Sequence, residues 1–376
     1  MQVLAYGGSR PVPFHSAIME STALEPGMSS NISFNATAAI AVMARCLNGG
    51  SASNFAPGSP SQSPAVINCL RALPMETLLN HSSAFITETS AVTDGDIFLP
   101  TVDQDFLPSL ASELISCGRF PKMPLIIGWE DNDATLFLPR GITTSNDTRA
   151  FIEMIYPYLN PSSLSTLLDL YPSTDFQADT AAKLSSEYYR TAEMFRDIIF
   201  VCPSFLFGRA MAEKYEATVH CTPQPPPVYY FDGNQSLIDE VFSAIGEPGI
   251  GITHTSELSY VFGNISLTNY TNLGLPASAF APTPEDYTLE KQVPRSWTSF
   301  AWTDRPSLEG RDTLPGWTSA YPDFKKDQNG DVYVLGGGME GMAGPNGENN
   351  AQIHHERLVG RCGFLNSPAV IEQLKY

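Results

Sequence analysis

Met123-Pro124-Leu125-Ile126-Ile127-Gly128-Trp129 runs without a break into Glu130-Asp131-Asn132-Asp133-Ala134-Thr135-Leu136-Phe137. The first seven residues are a near-continuous apolar run, the pattern of a strand covered on both faces of its sheet. Val228-Tyr229-Tyr230-Phe231 is strongly β in character, and Phe14 to Met19 fits a short buried strand. Asp331-Val332-Tyr333-Val334-Leu335-Gly336 fits a last edge strand. Between these lie helical stretches. Gln2 to Tyr6 reads as a helix end stopped by Gly7-Gly8, and Thr37 to Arg45 as a helix that ends at Cys46. Thr148 to about Tyr215 alternates helical patterns with Pro breaks, as a cap-like region over the sheet would, and Ala351 to Cys362 reads as a C-terminal helix. Strands alternating with helices imply an α/β sheet. A sheet beginning at Phe14 would leave an apolar edge uncovered.

The 376 residues suffice for a sizeable core. One domain is expected over residues 1–376, because the 30 Pro and 28 Gly are spread through short loops and no linker divides the chain. The densest polar stretch, residues 48–64, reads as a surface loop. A formal net charge of −19 argues against nucleic acid or an anionic membrane surface as partner, since phosphate recognition demands a basic stripe. No apolar run approaches the roughly 18 residues of a membrane span, and Met1 to Tyr6 lacks the regions of a secretory signal. Asn-x-Ser/Thr sequons at Asn31, Asn35, Asn80, Asn146, Asn234, Asn264 and Asn269 nonetheless suit a secreted glycoprotein. The six cysteines are an even number, which agrees with an oxidising compartment.

Downstream of the acidic cluster comes Gly251-Ile252-Thr253-His254-Thr255-Ser256-Glu257-Leu258-Ser259-Tyr260-Val261-Phe262-Gly263. Acid first and histidine second is the order of the last two members of a Ser–acid–His triad on an α/β-hydrolase sheet. The nucleophile of such a triad precedes both, on a Gly-x-Ser-x-Gly turn, and this chain has no such pentapeptide. The nearest stretches, Gly7-Gly8-Ser9-Arg10-Pro11 and Gly49-Gly50-Ser51-Ala52-Ser53, lack the final Gly. Glu130, Asp131 and Asp133 all compete for the acid role. His15, His81, His220, His354 and His355 read as ordinary surface or core histidines. Neither Cys/His zinc spacing nor a phosphate-binding Gly loop is present, so no metal and no cofactor are expected; Gly336 to Gly341 reads as a flexible turn.

Taken in order, these segments resemble the type B carboxylesterase/lipase family, which includes cholinesterases and fungal lipases. The matching stretches are Leu4 to Ser21, the Cys46…Cys69-Leu70-Arg71 loop, the acidic cluster, Phe200-Val201-Cys202-Pro203, the His254 segment, Trp297 to Ala301, and Arg361-Cys362-Gly363-Phe364. The resemblance implies the C-terminal part of an α/β-hydrolase fold. The early strands, the Gly-rich oxyanion loop and the nucleophile elbow would lie before Met1, so the chain is expected to be N-terminally truncated, with no nucleophile of its own. It also implies a serine carboxylesterase mechanism in which His254 is the base and Asp133, in register from Gly128 and Phe137-Leu138, is the acid, with Asp131 second. Ser21 matches the family's second buried serine, although an ordinary strand-end serine would look the same, and Glu257 belongs to the matching flank of His254. Trp129, Phe137, Trp297 and Phe300 read as core or pocket wall. By resemblance Cys46 pairs with Cys69 and Cys202 with Cys362, leaving Cys117 and Cys221 unassigned.

Two departures stand out. Asn132-Asp133-Ala134 replaces the usual Asp-Glu-Gly, and His254-Thr255 replaces the usual His-Gly, which stiffens the loop that presents the imidazole. The expected substrate is a small-molecule or lipid ester, for a secreted lipase, a general esterase or a tailoring esterase of secondary metabolism. A non-catalytic relative that keeps the fold, or an inactive fragment, is the competing expectation.

Overall fold

Three strands explain why the central segments are apolar up to their carboxyl ends. β2 (Leu125–Glu130), β3 (Val228–Gly233) and β4 (Val332–Leu335) are buried throughout. Leu125, Ile127, Trp129, Val228, Tyr230, Val332 and Val334 join one apolar core. Their neighbours Ile126, Tyr229, Phe231, Tyr333 and Leu335 join a second core across the sheet. The two-residue period of a strand thus feeds both faces, so polar alternation has no place in these segments.

The computed structural model describes residues 1–24, 31–48, 61, 63–93, 98–217 and 224–376. Their five-stranded sheet has the order β1-β2-β3-β4-β5, where β1 is Ala17–Glu20 and β5 is Gly341–Ala343. The first four strands are parallel and β5 is antiparallel to β4. Helices α1 (Asn31–Met43), α2 (Pro64–Ala72), α3 (Met75–Thr93) and α4 (Ala111–Ser116) lie between β1 and β2 in sequence. α5 (Ser145–Ile155), α6 (Pro161–Leu170), α7 (Ser186–Arg196) and α8 (Cys202–Glu216) precede β3. α9 (Leu237–Ala244), α10 (Leu258–Val261) and α11 (Pro284–Thr303) precede β4, and α12 (Ala351–Glu356), α13 (Leu358–Leu365) and α14 (Pro368–Leu374) close the chain. α8 covers one face of the sheet through Phe205, Phe207 and Met211, and α11 the other through Val293, Trp297 and Phe300.

Several expectations need correcting. The strand expected at Phe14 to Met19 is Ala17–Glu20, half-buried at all four positions rather than buried. The region 148–215 is not only a cap, since α8 packs on β2 and β3 themselves. β4 is not an edge strand. Gly336, Gly337 and Gly338 all take positive φ (87°, 72° and 73°) and turn the chain back so that β5 pairs with it. The helix expected over Ala351 to Cys362 is broken at Arg357, whose φ is +50° and whose guanidinium reaches Asp175 at 2.6 Å.

Two disulfides, Cys46–Cys69 and Cys202–Cys362, are formed, with Cα atoms 5.5 and 4.9 Å apart. The second ties α8 to α13. Cys117 is an exposed free thiol, and Cys221 and His220 lie outside the described residues.

Gly128 has a steric reason. A Cβ there would lie 2.0 Å from the ring of Phe231, its registered partner on β3. Overpacking of this kind costs about 1–3 kcal/mol. Gly128→Ala is therefore expected to lower the urea midpoint by the equivalent of roughly 2 kcal/mol. An unchanged midpoint would mean that Phe231 turns aside freely.

Candidate active site

The parallel strands end together, and their carboxyl ends carry the polar residues, as open α/β sheets generally arrange their ligand sites. β1 ends at Glu20 and is followed by Ser21, β2 at Glu130 and is followed by Asp131-Asn132-Asp133, and β3 carries Asp232. The loop containing His254 is laced onto the β2 loop. Asn132 N–H donates to Ile252 O at 2.9 Å, and Ile252 N–H donates to Asn132 Oδ1 at 3.0 Å. Thr135 Oγ1 bonds Ile250 O at 2.6 Å and Thr253 Oγ1 at 3.0 Å. Gly251, at φ +67°, lets the backbone pass Asn132, because a Cβ there would lie 2.0 Å from Asn132 Oδ1.

This lacing puts His254 Nδ1 2.6 Å from Asp133 Oδ1. The carboxylate is closed off from solvent and fully engaged. Its Oδ2 accepts from Ser21 Oγ at 2.6 Å and from the Glu130 backbone N–H at 3.0 Å. Of the three candidate acids, Asp133 is the one that meets the imidazole. Glu130 turns to Gln235, whose Nε2 lies 2.6 Å from its Oε2, and the Asp131 carboxylate turns toward Arg196, 3.8 Å away. Ser21 sits at φ +45° and Thr255 at φ +75°, a conformation that a β-branched residue adopts only under strain from its surroundings.

Two rings pack against the imidazole: Phe137, read as core or pocket wall, and Phe200, to which no role is assigned from sequence. Phe200 stacks on it at 5.4 Å with an interplanar angle of 22°, and Phe137 meets it edge-on at 5.4 Å. Phe200 belongs to a five-residue π-helical turn, Asp197–Val201, of the kind that often marks functional sites. No sequence signal announces that turn, nor the Asn132 and Thr135 bridges. Trp129 and Phe300 are buried core, whereas Trp297 Nε1 donates to Glu20 Oε1 at 2.5 Å.

The electrostatics follow from burial. Burial pushes the Glu130 carboxyl well above its usual range, and the charges of Glu257, Asp133, Asp232 and Glu20 push the same way. Glu257 is pushed to about 7, by burial first and then by Glu20 and Asp133; its Oε2 has no hydrogen-bond donor among the described residues. Burial lowers the His254 pKa, but the hydrogen bond and charge of Asp133, with Glu257 behind it, outweigh that and raise it. With Nδ1–H donated to Asp133, Nε2 is the ring nitrogen left to take up a proton.

Residues 5–348 match the family model described as the carboxylesterase family. The chain is 36% identical over its whole length to a secreted lipase of Arthroderma benhamiae, covering 61% of that protein. It is 28% identical over 94% of its length to an inactive carboxylesterase-like protein of Byssochlamys spectabilis, covering 58% of it. The crystal structure of Aspergillus niger EstA superposes with a TM-score of 0.65 at 18% identity, covering 100% of this chain and 62% of that one, and shows the α/β-hydrolase fold. The chain thus spans about three-fifths of the length of these relatives.

An NMR titration of the His254 ring should give a midpoint above that of an ordinary histidine, and Glu257→Gln should lower it by removing a nearby negative charge. The folded protein holds protons on Glu130, Glu257 and His254 to higher pH than the unfolded chain does. Their contribution to stability is therefore present in mild acid and is lost as the pH rises from the ordinary carboxylate range through about 7. Urea midpoints that climb steadily from pH 5 to 7.5 would contradict this.

Proposed function

Since the chain belongs to the carboxylesterase family, we propose that His254 and Asp133 are the proton-relay half of a serine carboxylic ester hydrolase. The observation that carries this reading is the 2.6 Å contact between His254 Nδ1 and Asp133 Oδ1, which leaves Nε2 on a part-exposed ring. Asp133 orients the imidazole and stabilises the imidazolium, while Ser21 and the Glu130 N–H hold Asp133 in turn. His254 Nε2 takes the proton of a serine hydroxyl as its oxygen attacks the ester carbonyl carbon, then returns that proton to the departing alcohol. A water molecule deprotonated by the same nitrogen then splits the acyl-enzyme and regenerates the serine. The reading requires a nucleophilic serine that no Gly-x-Ser-x-Gly of these 376 residues supplies. The relatives are longer than this chain, as the reading requires.

The substrate we infer is a small-molecule or lipid ester, met outside the cell. The two disulfides and the sequons support secretion, and a relative is named a secreted lipase. A second reading, a fold retained for binding alone, draws on the relative named inactive. The intact His254–Asp133 pair favours the first, because a binding protein has no physical need of it.

Residues 1–376 alone should turn over p-nitrophenyl acetate no faster than free imidazole and should take no label from a serine-directed fluorophosphonate. In a protein that also carries the elbow, His254→Ala should lower kcat by several orders of magnitude and Asp133→Asn by about 10⁴-fold, with Asp131→Asn far milder. Full activity of His254→Ala there would favour the binding reading, and phosphonate-sensitive turnover by 1–376 would reveal a serine inside the chain.

Glycan mapping after peptide-N-glycosidase treatment of secreted material is expected to find Asn35, Asn80, Asn146 and Asn264, which are exposed. Asn234 and Asn269 are half-buried, and Asn269 Oδ1 is engaged by Thr271 N–H, so these two should be unmodified. The side chain of Asn31 lies outside those described. Modification at Asn234 would contradict the packing around it.

A further inference from the structure

On the far side of the Asp133 loop the carboxyl ends of β2 and β3 meet α12 in a second acidic cluster that the ester chemistry does not use. Asp131, Asp232 and Glu356 each place a carboxylate oxygen within 4.8 Å of the others. Asp232 is 0% exposed and Glu356 1%. Arg196 and Arg361 are buried beside them, yet their short bonds go elsewhere. Arg196 gives Nε and Nη2 to Asp197 Oδ1, at 3.0 and 2.8 Å, and Nη1 to the backbone carbonyl of Asp131 at 2.6 Å. It stands off at 3.4 Å from Glu356 Oε2 and 3.8 Å from Asp131 Oδ1. Arg361 pairs with Glu193 and, at 3.5 Å, with Asp197.

When these carboxyls are ionised, both oxygens of Glu356 and Oδ1 of Asp232 have no hydrogen-bond donor among the described residues. The Gln352 amide lies against both neighbours, donating through Nε2 to Asp232 Oδ2 and, at 3.5 Å, to Asp131 Oδ1, while its Oε1 has no partner among the described residues. The charges do not balance either. Asp131, Glu193, Asp197, Asp232 and Glu356 face Arg196, Arg361 and, when protonated, His355, which lies 3.7 Å from Glu193. At least two negative charges remain uncompensated in a buried place, an expensive condition. One proton shared between Asp232 and Glu356 would remove one of them; a divalent cation removes two and occupies the free lone pairs as well.

We propose that Asp131, Asp232 and Glu356 form a binding site for one hard divalent cation of the Ca²⁺ class. The donors are all oxygens, which selects a hard cation over zinc or copper. Rotation of the Gln352 amide by half a turn presents Oε1 as a fourth ligand. A cavity of about 560 Å³, lined by Asp131, Glu193, Arg196, His355 and Glu356, gives the ion a way in from solvent. Because Asp131 is two residues before Asp133 and Asn132 clamps the His254 loop, the site is built on the same strand end as the relay pair.

The test uses Ca²⁺ as probe on the full chain after removal of bound metal with EGTA. Isothermal titration should give one Ca²⁺ per chain, and Ca²⁺ should raise the thermal midpoint as any ligand specific to the folded state does. Asp232→Asn and Glu356→Gln should each weaken binding by at least the 10–100-fold that loss of a mere supporting group costs a metal site. Should either variant fail to fold, Gln352→Ala, at a half-buried position, must weaken Ca²⁺ binding while the near-ultraviolet circular dichroism is kept. Several results would overturn the site: no binding at millimolar Ca²⁺, binding of several ions unaffected by these substitutions (as expected of surface carboxylates on a chain of charge −19), or a midpoint that moves with pH but not with Ca²⁺. That last result would assign the cluster to a shared proton. None of these readouts depends on ester hydrolysis.

Discussion

A carboxylate taken out of water needs every lone pair engaged, or a compensating charge, or a proton, and this constraint organises the carboxyl ends of the sheet. Asp133 meets it fully, with His254 on one oxygen and Ser21 and the Glu130 amide on the other. Of the acids at this sheet end it is the one that reaches the imidazole. Glu130 and Glu257 lack such a set of donors, and burial drives their protons on rather than off. Neighbouring acids of similar sequence context thus take different roles because their donors differ.

The same demand explains the architecture behind the site. Arg196 is buried where it bonds Asp197 on its own chain segment and the carbonyl of Asp131, so one guanidinium pins the loop leading to Asp133. The π-helical turn that begins at Asp197 then delivers Phe200 onto the imidazole, and the Cys202–Cys362 disulfide begins where the turn ends. Position of the base and satisfaction of the buried charges are therefore one problem.

What the described residues hold is a hydrogen-bonded carboxylate–imidazole pair. Orientation of the imidazole is settled within these residues by Asp133, Phe137 and Phe200. A pair positioned by packing in this way is compatible with a relative that is named inactive. Loss of the nucleophile need not disturb the rest of the sheet end.

How much could be read in advance depended on the range of each interaction. The apolar runs at Leu125 and Val228 marked strands covered on both faces, because strand period and burial are local properties of a sequence. The order acid then histidine, with its flanking residues, was likewise legible as a family resemblance and led to Asp133 and His254. Choosing among Glu130, Asp131 and Asp133 from chemistry alone was not possible, since all three follow the same strand and differ only in where the tertiary fold sends their side chains. The hairpin to β5 and the break at Arg357 escaped because a three-residue strand and a single left-handed residue carry almost no local signal. The acidic cluster escaped for a stronger reason: Asp131, Asp232 and Glu356 come from three distant segments, and no spacing rule joins them. The sequence by itself determined the α/β class, the covered strands and the candidate base. Only the tertiary structure decided which carboxylate is fully hydrogen-bonded, which rings hold the imidazole and where buried charge collects, because those depend on distances between residues far apart in the chain.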